Sequence, residues 1–198
     1  WRFWNKMNNP YIKELIEKIE HIEIWKGTSQ KFENYDIGLE QLLKVFITHK
    51  ENQTQLFFIG NGGSSAIASH MTADFMKNGG MKTYSLYDNA VTTCMGNDYG
   101  YEYIFSRPLE FLLNSNDLLV AISSSGNSKN ICNAIDVANE RGAEVITFTG
   151  FGSDNYAKQT GSINVYVPSE KYGIVESIHN VVLQQIVDLI MERDGVKL

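Results

Sequence analysis

Residues 118–128, LLVAISSSGNS, decide the fold of this 198-residue chain. The apolar run at 118–122 is too short for a helix and predicts a buried strand. The serines and glycine that follow are typical of a turn into a helix, because serine caps helix N-termini and glycine permits close backbone approach. Residues 56–65, LFFIGNGGSS, repeat the arrangement. Two such strand–loop–helix units predict an α/β domain with a parallel sheet.

Further short apolar runs complete a set of five predicted strands, at 56–59, 84–87, 118–122, 145–149 and 163–167. Helical periodicity fills the intervals between them, at 64–78, 101–113, 128–141 and 173–192. Since strands that alternate with helices form right-handed crossovers, we expect a three-layer sandwich around a five-stranded parallel sheet.

The N-terminal part of the chain has a different character. Helical periodicity at 9–25 and 35–50 predicts a helical hairpin ahead of the first strand. We expect one domain over residues 7–198, with the hairpin in 7–50 and the α/β core in 51–198. Residues 1–6, WRFWNK, precede a methionine and are expected to be a remnant of an expression tag.

Charge and composition argue against several classes of partner. The chain has 17 basic and 23 acidic residues, a net charge of −6, and no basic cluster. Nucleic acids and anionic membranes are bound by clustered Lys and Arg, so neither is expected as a partner. No apolar run approaches the ~18 residues of a membrane span. Cys94 and Cys132 have neither metal-type spacing nor the density of a secreted domain, which predicts a reducing cytoplasm.

The two serine-rich loops, at 60–65 and 123–128, are candidate ligand sites. In an open parallel sheet, ligands bind beyond the carboxyl ends of the strands, where loops lead into helix N-termini. Each loop alone is explained equally well as a tight, well-capped turn, whereas two in one sheet favour phosphate binding. The first loop matches the dinucleotide fingerprint only in part, since Ser65 stands at its third glycine position. We therefore expect a compact phosphate ester and no nucleotide cofactor.

These motifs, in this order, resemble the sugar isomerase (SIS) fold, which is Rossmann-like, and more narrowly its phosphoheptose isomerase branch. The resemblance is carried by residues 60–65, 69–70, 96–98 and 122–128, and extends from about residue 10 to residue 192. It implies conversion of sedoheptulose 7-phosphate into D-glycero-D-manno-heptose 7-phosphate, a heptose precursor of surface glycans, through an enediolate. It also implies a homotetramer with active sites between subunits, and a divalent metal for which zinc is the first candidate.

The resemblance also implies a set of site residues. Substrate would be lined by Asn61, Gly62 and Gly63 after the first strand, and contacted by Asn97 and Asp98 after the second. The phosphate would be held by four serines at the start of the 128–141 helix, namely Ser123, Ser124, Ser125 and Ser128. Metal binding and acid–base chemistry would fall to four residues on two helices, namely His70, Asp74, Glu176 and Gln184.

That last set departs from the family pattern, which has Glu where Asp74 stands, Gln where Glu176 stands and His where Gln184 stands. Gln184 cannot move a proton near neutral pH, and Asp74 is one methylene shorter than the usual base. Glu176 restores a carboxylate nearby and would also contact the substrate. We expect Asp74 or Glu176 to be the catalytic base.

Other interpretations of the same residues stay open. His70 and Asp74, four residues apart, are by themselves typical of an exposed ion pair on one helix face. Glu176 and His179 lie in an almost entirely apolar helix, where ionisable groups are costly unless paired, functional or placed on a narrow solvated strip. Two alternative functions are a SIS module that binds a sugar phosphate or a protein without catalysis, and an isomerase of another sugar phosphate.

Overall fold

Apolar strands and helices alternate along residues 9–196, the part of the chain that the computed structural model describes. The expectation about residues 1–6 lies outside that part. The helices are α1 (Pro10–Glu20), α2 (Tyr35–Glu51), α3 (Gly63–Lys77), α4 (Asn89–Asp98), α5 (Ser106–Leu112), α6 (Lys129–Glu140), α7 (Tyr156–Thr160) and α8 (Tyr172–Arg193). The strands are β1 (Glu23–Lys26), β2 (Gln30–Lys31), β3 (Gln55–Gly60), β4 (Lys82–Ser85), β5 (Leu118–Ser123), β6 (Glu144–Thr149) and β7 (Ile163–Tyr166).

The sheet has seven strands in the order β2-β1-β7-β6-β5-β3-β4, so the prediction of a five-stranded, purely parallel sheet was wrong. Strands β3 to β7 pair in parallel, and β1 adds to the edge of β7 in antiparallel orientation, followed by β2. The spacing of Ile19 and Ile22 imitates a helix, but Ile22 and Ile24, two apart, are both buried, as the period of a strand requires.

The predicted helical hairpin is not formed either, because β1 and β2 separate α1 from α2. Asn9 caps α1 by accepting a hydrogen bond from the Tyr11 amide, and Pro10 occupies the first turn, where its missing N–H costs nothing. Both α1 and α2 pack against α8, and α2 also contacts β1. The N-terminal segment is therefore part of the α/β layer structure.

Both faces of the sheet are covered by helices. Alternate residues of β3 point into opposite clusters: Phe58 packs with Phe75 and Phe46 on one face, and Phe57 with Leu109 on the other. Helix α4 was not predicted because it buries none of its residues and so lacks an apolar stripe. The predicted helix at 101–113 is instead a 3-10 turn, Tyr101–Tyr103, followed by α5.

Helix α8 lies at the centre of the larger cluster. Among residues 9–196 it is the one helix long and apolar enough to cross a membrane, and half of that stretch is buried in the protein. Polar side chains interrupt its apolar residues, so the sequence shows no continuous apolar run of that length. Ile178, Val182 and Ile186 are fully buried in the core cluster, which accounts for the apolar character of the helix.

Candidate active site

Both serine-rich loops open onto one cleft at the carboxyl ends of β3 and β5, which are neighbours in the sheet. The cleft has a volume of 120 Å³. It is lined by Asn61, Ser64, Ile122, Ser123, Ser124, Ser125, Ser128, Tyr172 and Glu176. The four predicted phosphate-binding serines therefore lie together with one of the two candidate catalytic carboxylates.

The backbone of the 123–128 loop is held in place by its own side chains. The Ser123 hydroxyl accepts a hydrogen bond from the Gly126 amide at 3.2 Å, and the Ser125 hydroxyl accepts one from the Asn127 amide at 3.4 Å. Gly126 has a φ of +64°, and a Cβ at this position would lie 2.8 Å from the Cβ of Asn155. Only glycine fits this turn without displacing Asn155.

Two hydroxyl groups of the same loop are not used by the fold. The Ser124 Oγ is buried and has no hydrogen-bond partner among the described residues. Ser128 occupies the N-cap of α6, yet its side chain makes no capping hydrogen bond. A buried hydroxyl without a partner is costly, and the N-terminus of a 12-residue helix attracts anions. These groups therefore form a site suited to a phosphate.

Hydrogen bonds to Gly60 and Asn61 hold the first loop, at 60–65, in place. The Tyr87 hydroxyl donates to the Gly60 carbonyl at 2.9 Å and accepts from the Gly60 amide at 2.6 Å, and burial raises the pKa of Tyr87. The Asn61 side chain exchanges two hydrogen bonds with Asn130 and accepts a third from Tyr101. Asn61 lines the cleft, and it also ties the first loop to the start of α6.

Glu176 brings a carboxylate into the cleft. Its side chain is half-buried on α8 and makes no hydrogen bond to any residue within 9–196. It lies against Gly63, where a Cβ would come within 2.6 Å of Glu176 Cδ, so α3 and α8 meet at this point. Burial raises the pKa of Glu176 above the ordinary 4.5, as is useful in a base that works near neutral pH.

The other predicted catalytic and metal-binding residues do not line this cleft. His70 Nε2 lies 3.3 Å from Asp74 Oδ2, and the His70 side chain is 55% exposed, as in an ordinary side-chain contact on the surface of one helix. Gln184 is half-buried two turns beyond Glu176 on α8. Within the described residues no three His, Cys, Asp or Glu side chains are grouped to hold a metal ion. His70, Asp74 and Glu176 therefore do not form such a group of three in this part of the chain.

Asn97 and Asp98 also lie away from the cleft of their own chain. Both are exposed at the end of α4, where the Asn97 amide donates to Asp98 at 2.8 Å. His179, one turn after Glu176, is fully buried and its Nε2 donates to the Thr149 carbonyl at 3.0 Å, whereas its Nδ1 has no partner among the described residues. His179 is therefore a core residue that joins α8 to β6.

Sequence reasoning missed Tyr172, Ser64 and Ile122 as lining residues. Tyr172 stands one helical turn before Glu176, so the shared helix face was a signal that could have identified it. Ser64 is buried in the first turn of α3, and Ile122 is the last apolar residue of β5 before the serine loop.

A larger cavity, of 530 Å³, lies at the opposite end of the sheet, beside His49 and Glu144. Its lining includes Thr54 and Asp117, which immediately precede β3 and β5. It is therefore at the amino ends of the strands, where helix N-termini do not converge, and we do not assign the reaction to it.

The comparison with known proteins agrees with this geometry. The family model described as the SIS domain matches residues 23–150. A phosphoheptose isomerase of Sulfurimonas denitrificans is 33% identical over 195 residues, which cover 94% of this chain and 98% of that protein. One of Helicobacter pylori is 31% identical over 185 residues, covering 90% and 95% of the two chains.

Solved structures give the same result. The structure of a phosphoheptose isomerase from Francisella tularensis superimposes with a TM-score of 0.80 at 27% identity, covering 93% of this chain and 96% of that one. The enzyme from Neisseria gonorrhoeae gives a TM-score of 0.78 at 28% identity, covering 91% and 96%. The chain therefore belongs to the SIS domain family, in its phosphoheptose isomerase branch.

Proposed function

We propose that this protein is a sugar-phosphate isomerase that converts sedoheptulose 7-phosphate into D-glycero-D-manno-heptose 7-phosphate. The observation that carries the proposal is that Glu176, Ser124 and Ser128 line one cleft, and that within residues 9–196 the Glu176 carboxylate and the Ser124 hydroxyl have no hydrogen-bond partner. The serine hydroxyls at the start of α6 can hold a phosphate, and the Glu176 carboxylate can move a proton. The phosphoheptose isomerases to which the chain is similar support this choice of substrate.

Phosphate binding would fix the sugar at one end. The hydroxyls of Ser124 and Ser128 donate to the phosphate oxygens, and the positive end of the α6 dipole favours the anion. No nucleotide cofactor is proposed, in agreement with the incomplete dinucleotide fingerprint, in which Ser65 stands at the third glycine position. Neither a nucleic acid nor a membrane is proposed as a partner.

Glu176 would act at the other end of the substrate. Its carboxylate removes a proton from C1 of the ketose, the enediolate forms, and a proton is returned to C2, while the hydroxyl hydrogen passes from O1 to O2. The reaction is a net migration of two hydrogens with no oxidant. The raised pKa of Glu176 improves its match to a weak carbon acid, and its carboxylate, which makes no hydrogen bond within residues 9–196, is free for this step. We assign the base to Glu176 in preference to Asp74, which is paired with His70 outside the cleft.

The single-chain cleft is too small to enclose the whole substrate. Its 120 Å³ is well below the ~300–1,000 Å³ of pockets that bury a small ligand. We propose a homotetramer in which a neighbouring subunit completes each site. Asn97 and Asp98 are exposed and available for such a contribution, and α1 exposes Ile12 and Ile16 as an apolar surface for assembly.

The zinc site stays a prediction. Among the described residues His70, Asp74 and Glu176 do not form a group of three metal ligands, and no step of the reaction is assigned to a metal. Metal analysis of the purified protein and of the His70→Ala variant tests it, since loss of bound zinc in the variant alone would support the predicted ligand. A cytoplasmic location is proposed because Cys94 and Cys132 are both free thiols.

The decisive experiment is incubation of the purified protein with sedoheptulose 7-phosphate, with and without zinc, while formation of the aldose is followed. Turnover that is lost in Glu176→Gln supports the proposal. Tight binding of the sugar phosphate without turnover would instead support a binding module. Turnover that survives Glu176→Gln would contradict the assigned base.

A further inference from the structure

Tyr172 is the aromatic residue of the cleft, and the proposed reaction has not used it. It is the first residue of α8, 61% exposed, and its hydroxyl makes no hydrogen bond within residues 9–196. Seven of the nine lining residues are polar, and the two others are Ile122 and Tyr172. The carbon chain of a bound sugar phosphate would therefore find apolar contact only with these two side chains.

The Tyr172 ring is supported from behind by Phe151. The two rings meet edge to face, with centroids 4.8 Å apart and planes at 70°. Phe151 has a φ of +54°, which is a strained conformation for a bulky residue and points to a special role. It is held there because its amide donates to the Ser169 carbonyl at 2.9 Å and its carbonyl accepts from the Tyr166 hydroxyl at 2.6 Å.

Helix α1 fixes the backbone on both sides of Tyr172. Lys171 Nζ lies 2.6 Å from the Glu14 carboxylate. Gly173 has no side chain where a Cβ would lie 2.8 Å from the Tyr11 hydroxyl, so α1 approaches the start of α8 closely. An exposed ring that is held in this way can act as a preformed wall of the site, since little freedom is lost on binding.

We propose that Tyr172 is a specificity-determining residue that stacks on the carbon chain of the sugar phosphate, and that Phe151 is its positioning residue. This inference rests on the proposed isomerase function. Stacking places the carbon chain over the helix face that carries Glu176, one turn away. The ring also excludes water from the space beside the Glu176 carboxylate, so the proton taken from one carbon is returned to the next before it exchanges with solvent.

Three variants test the inference. Tyr172→Ala removes an exposed ring and should not disturb folding, Tyr172→Phe retains the ring, and Phe151→Gly retains the positive φ while it removes the support. For each we would measure KM for sedoheptulose 7-phosphate, Kd for inorganic phosphate, and the deuterium incorporated at carbon from heavy water.

We expect Tyr172→Ala to raise KM about tenfold, the scale of losing one aromatic contact, and to increase deuterium incorporation. Its Kd for inorganic phosphate should equal that of the wild type, because the serine loop is unchanged. Tyr172→Phe should behave as the wild type, and Phe151→Gly should fall between Tyr172→Ala and the wild type.

Two results would overturn the inference. One is a Tyr172→Ala variant with unchanged KM and unchanged deuterium content. The other is a rise in the Kd for inorganic phosphate equal to the rise in KM, since the ring would then belong to the phosphate site. A wild-type protein that neither binds nor isomerises the sugar phosphate refutes the proposed function itself, whereas an active wild type with an unaffected Tyr172→Ala variant refutes only this inference.

Discussion

The carboxylate of Glu176 occupies the space that a side chain on Gly63 would fill. A Cβ built on Gly63 lies 2.6 Å from Glu176 Cδ, so the carboxylate can keep this position only because residue 63 is glycine. The contact joins the glycine-rich loop after β3 to the proposed base. A substitution at Gly63 should therefore displace the Glu176 carboxylate while the glutamate itself is retained.

Gly63→Ala should displace the Glu176 carboxylate and lower kcat by about 100-fold, the scale expected when a reacting group is misplaced by roughly 1 Å. The fold should be retained, because alanine favours a helix more than glycine does and the end of a glutamate side chain can rotate away. Steady-state kinetics and thermal unfolding measure both effects. In the double variant Gly63→Ala, Glu176→Gln, the glycine change should add no further loss; an additive loss would show that Gly63 acts through another group.

Ser124→Ala should weaken binding of inorganic phosphate at least about tenfold, because a hydrogen bond to a charged group is lost. The unliganded protein should not be destabilised, since the Ser124 hydroxyl has no hydrogen-bond partner in residues 9–196. Ser106→Ala is the matched control: Ser106 in α5 is equally buried and unpartnered but lies outside the cleft. Calorimetry that shows equal Kd values for both variants would place the phosphate elsewhere.

The pH dependence of the reaction should report the ionisation of Glu176. Because burial raises its pKa above 4.5, kcat/KM should rise with pH through an acid limb that lies above the ordinary glutamate range. Burial favours the protonated form, so ionisation of Glu176 lowers folding stability as pH rises through the same interval. A pH–rate profile of the wild type measures the limb. An acid limb that stays at or below the ordinary value would argue against Glu176 as the base.

His179 should make the protein acid-sensitive. Burial lowers its pKa from 6.5 to about 4, so the folded state holds it neutral while the unfolded chain takes up a proton below pH 6.5. Its contribution is therefore complete above pH 6.5 and is lost as pH falls toward 4, by about 2 kcal/mol between pH 7 and pH 5. In His179→Gln, the free energy of unfolding measured with urea should change by about 2 kcal/mol less between pH 7 and pH 5 than it does in the wild type. An unchanged pH dependence would contradict the buried, neutral state.

The tetramer proposal predicts a particle of four times the 22.4 kDa of one chain in light scattering at micromolar concentration. Ile16→Glu places a charge on the exposed face of α1 and should reduce the mass without unfolding the chain, because Ile16 is 52% exposed. A monomeric wild type would remove the basis for sites shared between subunits.

Local sequence patterns predicted much of the architecture. The apolar runs of β3 and β5 and the caps that follow them predicted both loops of the cleft, because a short apolar run and a glycine–serine turn are encoded by adjacent residues. The serines at 123–125 and Ser128 were predicted on the same grounds together with the family resemblance, and all of them line the cleft. Helix α8 was recognised from its length and apolar character.

Tertiary structure decided the rest. Strand β1 forms because Ile24 pairs with Val165, a partner distant in the sequence, so no local pattern could separate it from the end of α1. The proposal of Glu176 over Asp74 as the base rests on which helix face meets Gly63, and the proposed role of Tyr172 rests on its contact with Phe151. The sequence by itself determined the elements and their capping loops, through interactions between neighbouring residues. Only folding brought together groups whose burial and contacts depend on chain segments far apart.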